Sequence, residues 1–293
     1  MKDQADITLF DKLGFTPSRV IRVFGMRRSG NHAVINWMAR NAPDPCVFIN
    51  DCSTGKCPLK SANGLEINAR HIPLGERDIA DYTSELADGG VLILSYEDVM
   101  PDPYEPVHAM SPGVPDDVDT LDIVMFRGFM NWAASLLRKL QNNPSHSFVS
   151  RTRTMIGAME SYIEALELAQ DPEGRVRAVS YDRWVSRVKY RSSILRALGF
   201  EEKDNRLGAV QRYGGGSSFQ PDAKEAKTLS PLTRWHEMVN DAEFQLILLA
   251  ASQYKELRSV MAEVMPQEEA RLADYLNEAR FPYHVQLAED GQQ

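Results

Sequence analysis

The chain has 293 residues, 43% hydrophobic and 25% charged, which is ordinary globular composition and enough apolar material for one large α/β domain or two small ones. Its net charge of −8 argues against generic nucleic-acid binding, which needs a broad basic face, and no run of about 18 apolar residues is present to span a membrane. The opening stretch MKDQADITLFDKLGF lacks an apolar signal core, so the expectation is a soluble, cytoplasmic protein.

The first clear element is a strand in RVIRVFGM (Arg19 to Met26), where Val20, Val23 and Phe24 form a short apolar run. A helix is expected in NHAVINWMARN, with Ala33, Ile35, Trp37 and Met38 spaced for one buried face. Between them Gly25-Met26-Arg27-Arg28-Ser29-Gly30 has the G-x-x-x-x-G spacing of a phosphate-binding loop. Asn31 and His32 stand where a magnesium-nucleotide hydrolase needs Lys and Ser/Thr, so the cradle is kept and the metal site is not. Strand, loop and helix in this order turn the N–H groups of Ser29, Gly30, Asn31, His32 and Ala33 and the positive helix end onto an anion. Arg27 and Arg28 add forked donors for phosphate or sulfate oxygens. The competing reading is a strand-to-helix turn with two solvated arginines. Arg19, Arg22, Arg27 and Arg28 cluster in sequence here, whereas MAEVMPQEEARLADYLNEAR near the other end is acid-rich, as suits a small anion pocket in an acidic shell.

CVFIND (Cys46 to Asp51) reads as the next strand, followed by the Gly/Ser/Pro-bearing connection STGKCPLKSANGLE. Cys46, Cys52 and Cys57 are odd in number and match no C-x-x-C spacing, which favours free thiols over a disulfide framework or a zinc site. GVLILSYED (Gly90 to Asp98) and LDIVMFR (Leu121 to Arg127) are near-continuous apolar runs with polar ends, as expected of parallel strands buried on both faces. Between them MPDPYEPVHAMSPGVPDD carries five prolines and reads as a surface loop and a candidate wall of a substrate cleft. Helical spacing marks NWAASLLRKLQNN and TMIGAMESYIEALELAQ, RVRAVSYD (Arg175 to Asp182) reads as a strand, and VKYRSSILRALGF as a helix. A loop YGGGSSFQPD and helices through RWHEMVNDAEFQLILLAASQYKEL and QEEARLADYLNEA complete the chain. Without an internal repeat or low-complexity linker, the expectation is one P-loop-type α/β domain over residues 1–293. It has a central, mostly parallel β-sheet flanked by helices, and 241–293 form a helical C-terminal extension. Ligands of such folds sit at the carboxyl ends of the strands.

In FRGFMNWAASLLRKL, Arg127 closes a strand and Ser135 follows eight residues later inside the next helix, so that both can face one phosphate. Together with RRSGNHAVINW, this pair resembles the P-loop sulfotransferases that use 3′-phosphoadenosine 5′-phosphosulfate (PAPS), over roughly residues 19–240. The resemblance implies that the 5′-phosphosulfate lies on the loop from Arg27 to Ala33 and the 3′-phosphate on Arg127 and Ser135. AVSYDRW resembles the family's segment near the adenine and nominates Tyr181. VQRYGGGSSF resembles the late Gly-containing loop on the 3′-phosphate side and nominates Arg212 and Gly214, with Ser217 and Ser218 as further donors. Two departures stand out. Arg28 replaces a Lys that many members carry, and Asn31-His32-Ala33 replaces Thr-Thr-Trp and with it an aromatic platform for adenine. Trp132 is the candidate replacement, weighed against plain core packing.

The reaction implied by the resemblance is in-line transfer of the sulfuryl group of PAPS to an acceptor hydroxyl or amine, with no metal required. Arg27, Arg28, the Ser29 hydroxyl and the loop N–H groups meet the charge that builds on the leaving phosphate. LILSYEDVMP occupies the place of the family's general base, which makes Glu97 the first choice and Asp98 the second, followed by His108 and His32. A P-loop small-molecule kinase and a non-catalytic nucleotide-binding protein are the alternatives. The expected acceptor is a small molecule, a carbohydrate or another small polar hydroxyl compound, because no concentrated apolar loop points to a greasy pocket; oligomeric state has no signature.

Overall fold

The computed structural model describes residues 8–73, 78–171, 173–211, 213 and 216–278. In chain order the first half holds α1 (Leu9–Leu13), β1 (Arg19–Gly25), α2 (Asn31–Asn41), β2 (Cys46–Asn50), α3 (Pro58–Ser61), β3 (Gly64–Ile67), β4 (Arg70–Ile72), α4 (Ala80–Thr83), β5 (Val91–Glu97) and α5 (Val107–Met110). The second half holds β6 (Thr120–Phe126), α6 (Phe129–Gln141), α7 (Phe148–Leu168), β7 (Val176–Ser180), α8 (Tyr181–Ser186), α9 (Val188–Leu198), α10 (Ala242–Gln253), α11 (Lys255–Val264) and α12 (Pro266–Glu278). The strands form one seven-stranded sheet in the order β4-β3-β2-β5-β1-β6-β7. Pairing is parallel from β2 through β5, β1 and β6 to β7, and antiparallel at β3 and β4. The expected α/β class and mostly parallel sheet are thus present; the antiparallel edge pair lies where the sequence reads as an irregular connection and its border, because its strands are too short to show a period.

Both faces of the sheet are covered, and the strand residues divide between them by alternation. Ile21, Val23, Ile93, Ile123 and Met125 pack toward α2, α8 and α9, whereas Val20, Phe24, Leu92, Leu94 and Val124 pack toward α1 and the segment after β5. A third apolar cluster joins α6 and α7 to α10, α11 and α12 through Trp132, Leu136, Tyr162, Phe244, Leu257 and Met261. Trp132 is fully buried there, tilted against Tyr162 at 4.9 Å, with its indole N–H donating to the Arg27 carbonyl; it is core packing and not an adenine platform. α2 is buried on more than one face, because Asn41 Oδ1 accepts from the N–H groups of Lys203 and Asp204 at 2.8 Å each and the chain there covers the helix.

Three expectations change. The proline-rich span 100–117 packs on the sheet face opposite α2, where Arg22 donates to the Val107 carbonyl at 3.2 Å and Tyr96 meets Ser111 at 2.7 Å, and none of its residues lines the cavity described below. Arg19 and Arg22 do not join the loop either. Arg19 pairs with Asp119 at 2.6 Å at the start of β1, and Arg22 makes a two-pronged pair with Asp122 at 2.7 Å inside the strand layer. Finally β7 stops at Ser180, whose hydroxyl accepts from the Arg183 N–H at 3.4 Å, so Tyr181 and Asp182 open α8 and do not continue the strand.

Candidate functional site

β1 lies between β5 and β6, and the register sets Gly25 beside Glu97 on one side and Met125 on the other. The loop after β1, the end of β5 and the end of β6 therefore meet at one edge of the sheet. A cavity of about 230 Å³ opens there, lined by Arg27, Arg28, Gly30 to Ala33, Glu97, Arg127, Tyr181, Tyr213, Ser217 and Arg234. The turns that build it are sterically demanding. Arg28, Asp51 and Asp98 all hold left-handed φ, at 72°, 55° and 57°, which non-glycine residues adopt only when their surroundings compel it.

Both glycines of the G-x-x-x-x-G loop have a geometric reason. A Cβ on Gly25 would stand 2.5 Å from Asn31 Oδ1 and 2.9 Å from Met125 Cβ. Gly30, at φ 95°, caps α2 and has the Tyr181 ring against it, with no room for a methyl group. Gly30→Ala is accordingly expected to cost on the order of 1–3 kcal/mol of stability in urea unfolding and to push Tyr181 out of place. Not every loop residue reaches the cavity. Ser29 is fully buried behind it, with its N–H bonded to the Met26 carbonyl at 3.1 Å, and the Ala33 N–H is bonded to the Gly30 carbonyl at 3.1 Å. Asn31 folds its side chain back onto the carbonyls of Gly25 and Met26 at 3.2 and 3.3 Å. This leaves the amides of Gly30, Asn31 and His32 without a hydrogen bond among the described residues, a shorter cradle than five successive N–H groups.

Besides Arg27, the guanidinium groups of Arg28, Arg127 and Arg234 line the cavity. Arg28 donates to the Gly216 carbonyl at 2.9 Å, and Arg127 donates to the Arg28 carbonyl at 3.2 Å and to Ser135 Oγ at 3.3 Å, with a further bond to the Pro231 carbonyl. Arg234 donates to Ser135 Oγ at 2.5 Å and to Ser217 Oγ at 3.2 Å. Ser135 is fully buried behind this pair and braces both guanidiniums, its own O–H remaining to be donated onward. Neither Arg127 nor Arg234 has a carboxylate within 4.0 Å among the described residues, and the Nε of each is buried without a partner. Burial lowers the pKa of all three; for Arg234, where the charges of Arg127 and Arg28 add to burial, it falls to about 9. Such a cluster gains from an anion more than from another neutral neighbour. Tyr181 floors it, its ring 5.2 Å from the Arg127 guanidinium carbon and stacked on Trp184 at 5.8 Å. The N-terminus of α6, just behind Arg127, is already satisfied: Asp182 accepts from the Gly128 N–H at 2.5 Å and Glu268 of α12 from the Met130 N–H at 2.8 Å.

Glu97 also lines the cavity, and its pKa is lifted to about 7 by burial and then by the nearby charges of Asp51 and Asp98, with Arg27 and Arg28 opposing the rise. Asp98 is committed elsewhere, with one oxygen accepting the Arg27 N–H at 2.8 Å and the other paired with the Arg27 guanidinium. That pairing also turns the half-exposed Arg27 toward Asp98. His32 lies beside Glu97, its Nε2 4.0 Å from the carboxylate and 2.8 Å from Asn50 Oδ1. His108 is remote, exposed and paired with Asp116 at 2.6 Å. Arg212 and Gly214 lie outside the described residues.

Arg234, Asn50 and Tyr213 belong to this constellation without having been nominated by the sequence. Arg234 sits in a short 3₁₀ turn, Arg234–Met238, within a span that reads as plain helix, and its role depends on a contact 99 residues away in the chain. Asn50 is the last residue of β2, and the polar ending of that strand was its one signal.

No protein-family model matches the chain, and no curated protein matches it. Among solved structures it is similar to mouse sulfotransferase SULT7A1 complexed with PAP, at 12% identity and a TM-score of 0.39, over 68% of this chain and 66% of that one, just under two thirds of its length.

Proposed function

We propose that this cavity binds PAPS and transfers its sulfuryl group to a small acceptor. The observation that carries the reading is the gathering of Arg28, Arg127 and Arg234 in a single cavity that Glu97 also lines. Arg127 and Arg234 with the Ser135 hydroxyl hold the 3′-phosphate, for which their unpartnered Nε groups fit. Arg28 and the amides of Gly30, Asn31 and His32 hold the 5′-phosphosulfate at the positive end of α2. Tyr181 packs against the nucleoside between the two.

With the donor held at both ends, the acceptor hydroxyl attacks sulfur in line with the bridging oxygen. The new S–O bond forms as the S–O bond to the 5′-phosphate breaks, the electron pair stays on adenosine 3′,5′-bisphosphate, and the acceptor proton passes to the Glu97 carboxylate. Arg28 meets the charge that gathers on the bridging oxygen. It supplies charge without a proton, since a guanidinium remains protonated. The acceptor is a small polar hydroxyl compound, with His32 and Tyr213 on the wall next to Glu97.

The phosphate-loop spacing also fits a kinase, and one measurement separates the two. Adenosine 3′,5′-bisphosphate with EDTA present is expected to raise the melting temperature by about 5 °C or more at 100 times its Kd. Stabilisation by Mg-ATP alone would support the kinase and reject the sulfotransferase. Bisphosphate binding with no turnover over a broad acceptor panel would favour a non-catalytic nucleotide-binding protein.

A further inference from the structure

Glu97 and His32 stand 4.0 Å apart on the cavity wall, two groups able to take a proton. The hydrogen bonds behind His32 distinguish them. The Asp51 carboxylate only accepts, and its Oδ2 lies 2.6 Å from the Asn63 side-chain nitrogen. The carbonyl of Asn63 therefore faces the other way, toward the Asn50 side-chain nitrogen at 2.5 Å. This turns the Asn50 carbonyl to His32, 2.8 Å from Nε2, with the Ser95 hydroxyl as a second donor at 3.3 Å. An oxygen without a hydrogen facing an imidazole nitrogen requires that nitrogen to carry one.

We propose that Asp51, Asn63 and Asn50 form a polar relay that fixes His32 as its Nε2–H tautomer and thereby reserves proton acceptance for Glu97. Asn50 and Asn63 are positioning residues, acting through His32 and touching neither donor nor acceptor. The charged and titratable groups facing the pair are Asp51 beyond β2, Asp98 beyond β5, Arg27 and Arg28 of the loop, and Tyr213, whose ring lies 5.6 Å from that of His32. Burial is the largest influence on His32 and lowers its pKa; the Asn50 bond and Asp51 oppose it and Arg28 adds to the lowering, so the ring is held neutral. With its Nε2 proton on Asn50, the imidazole edge nearest Glu97 offers no lone pair, and the carboxylate is the acceptor left on that side.

The positioning role rests on the sulfotransferase reading, whereas the tautomer does not. Two-bond ¹H–¹⁵N correlations of histidine-labelled full chain at pH 7.5 are expected to show His32 with a protonated Nε2 and a bare Nδ1. The opposite tautomer, or an imidazolium, would overturn the relay. In Asn50→Asp a carboxylate replaces the accepting amide, the His32 ring becomes doubly protonated, and the cation beside Glu97 weakens it as a base. Turnover then falls about tenfold or more, KM for PAPS stays within about twofold, and the acid limb of the kcat/KM profile moves to lower pH. A doubly protonated His32 with parent-like turnover and pH profile would refute the positioning role. If Asn50→Asp does not fold, Asn63→Ala at its exposed position is expected to give mixed His32 tautomers, and an unchanged spectrum would refute the relay. An Nε2–H spectrum in a chain that fails to bind the bisphosphate would instead reject the proposed function and leave the tautomer assignment standing.

Discussion

In a Glu97→Gln variant, turnover falls about 10²- to 10⁴-fold while affinity for adenosine 3′,5′-bisphosphate stays within about threefold of the parent. The amide keeps the shape of the side chain and removes its capacity to take a proton, so the loss belongs to chemistry and not to donor binding. The parent carries its own control. With the carboxyl lifted to about 7, kcat/KM rises with pH and levels off above that value, because the ionised form is the working form. In the variant this limb disappears. Stability moves the other way. A carboxyl whose folded pKa is raised binds more protons folded than unfolded, so its effect on stability is most favourable at low pH and declines as pH rises through about 7. At about 1.4 kcal/mol per pH unit, ionised Glu97 opposes folding by on the order of 3 kcal/mol above that pH. Glu97→Gln is thus expected to unfold at higher urea than the parent at pH 8. Full turnover in the variant would remove Glu97 from the reaction and direct attention to His32.

Arg127→Ala weakens the bisphosphate by about 30- to 1,000-fold, as measured by calorimetry. Two charge-assisted bonds to a phosphate account for roughly 2–4 kcal/mol, and each 1.4 kcal/mol is tenfold in affinity. The site without ligand responds differently. Arg127 lowers the pKa of Arg234, so its removal relieves repulsion among buried cations while leaving the Pro231 and Arg28 carbonyls short of a donor. These effects oppose each other, and the melting temperature of the free protein is expected to change by less than the stabilisation that the ligand loses. Unchanged affinity would show that the 3′-phosphate, if bound, lies elsewhere.

The features legible in the sequence are those whose cause is local. G-x-x-x-x-G could be read because Gly25 and Gly30 each answer to a close neighbour and a turn, and β1, β5 and β6 because burial on both faces makes most residues of each run apolar. Glu97 could be read as the polar end of an apolar strand. What escaped depends on contacts between distant parts of the chain. Arg22 looks like one of a basic cluster until Asp122 is found across from it, one strand over. The sequence nominates Ser135 beside Arg127, but Arg234, which donates to the same hydroxyl, is tied to neither by any spacing. The short pair β3 and β4 shows no period, and its position next to β2 follows from the register Val47 to Ile67.

Glu268 gives the far end of the chain a stake in the cavity. It sits on α12 but terminates a hydrogen bond from the first turn of α6, the helix that carries Ser135 behind the guanidiniums. A chain cut ahead of α12 leaves the Met130 amide bare and loosens the backing of the anion pocket from a point remote in sequence. Nucleotide affinity in shortened versions would therefore serve as a gauge of whether α12 is seated.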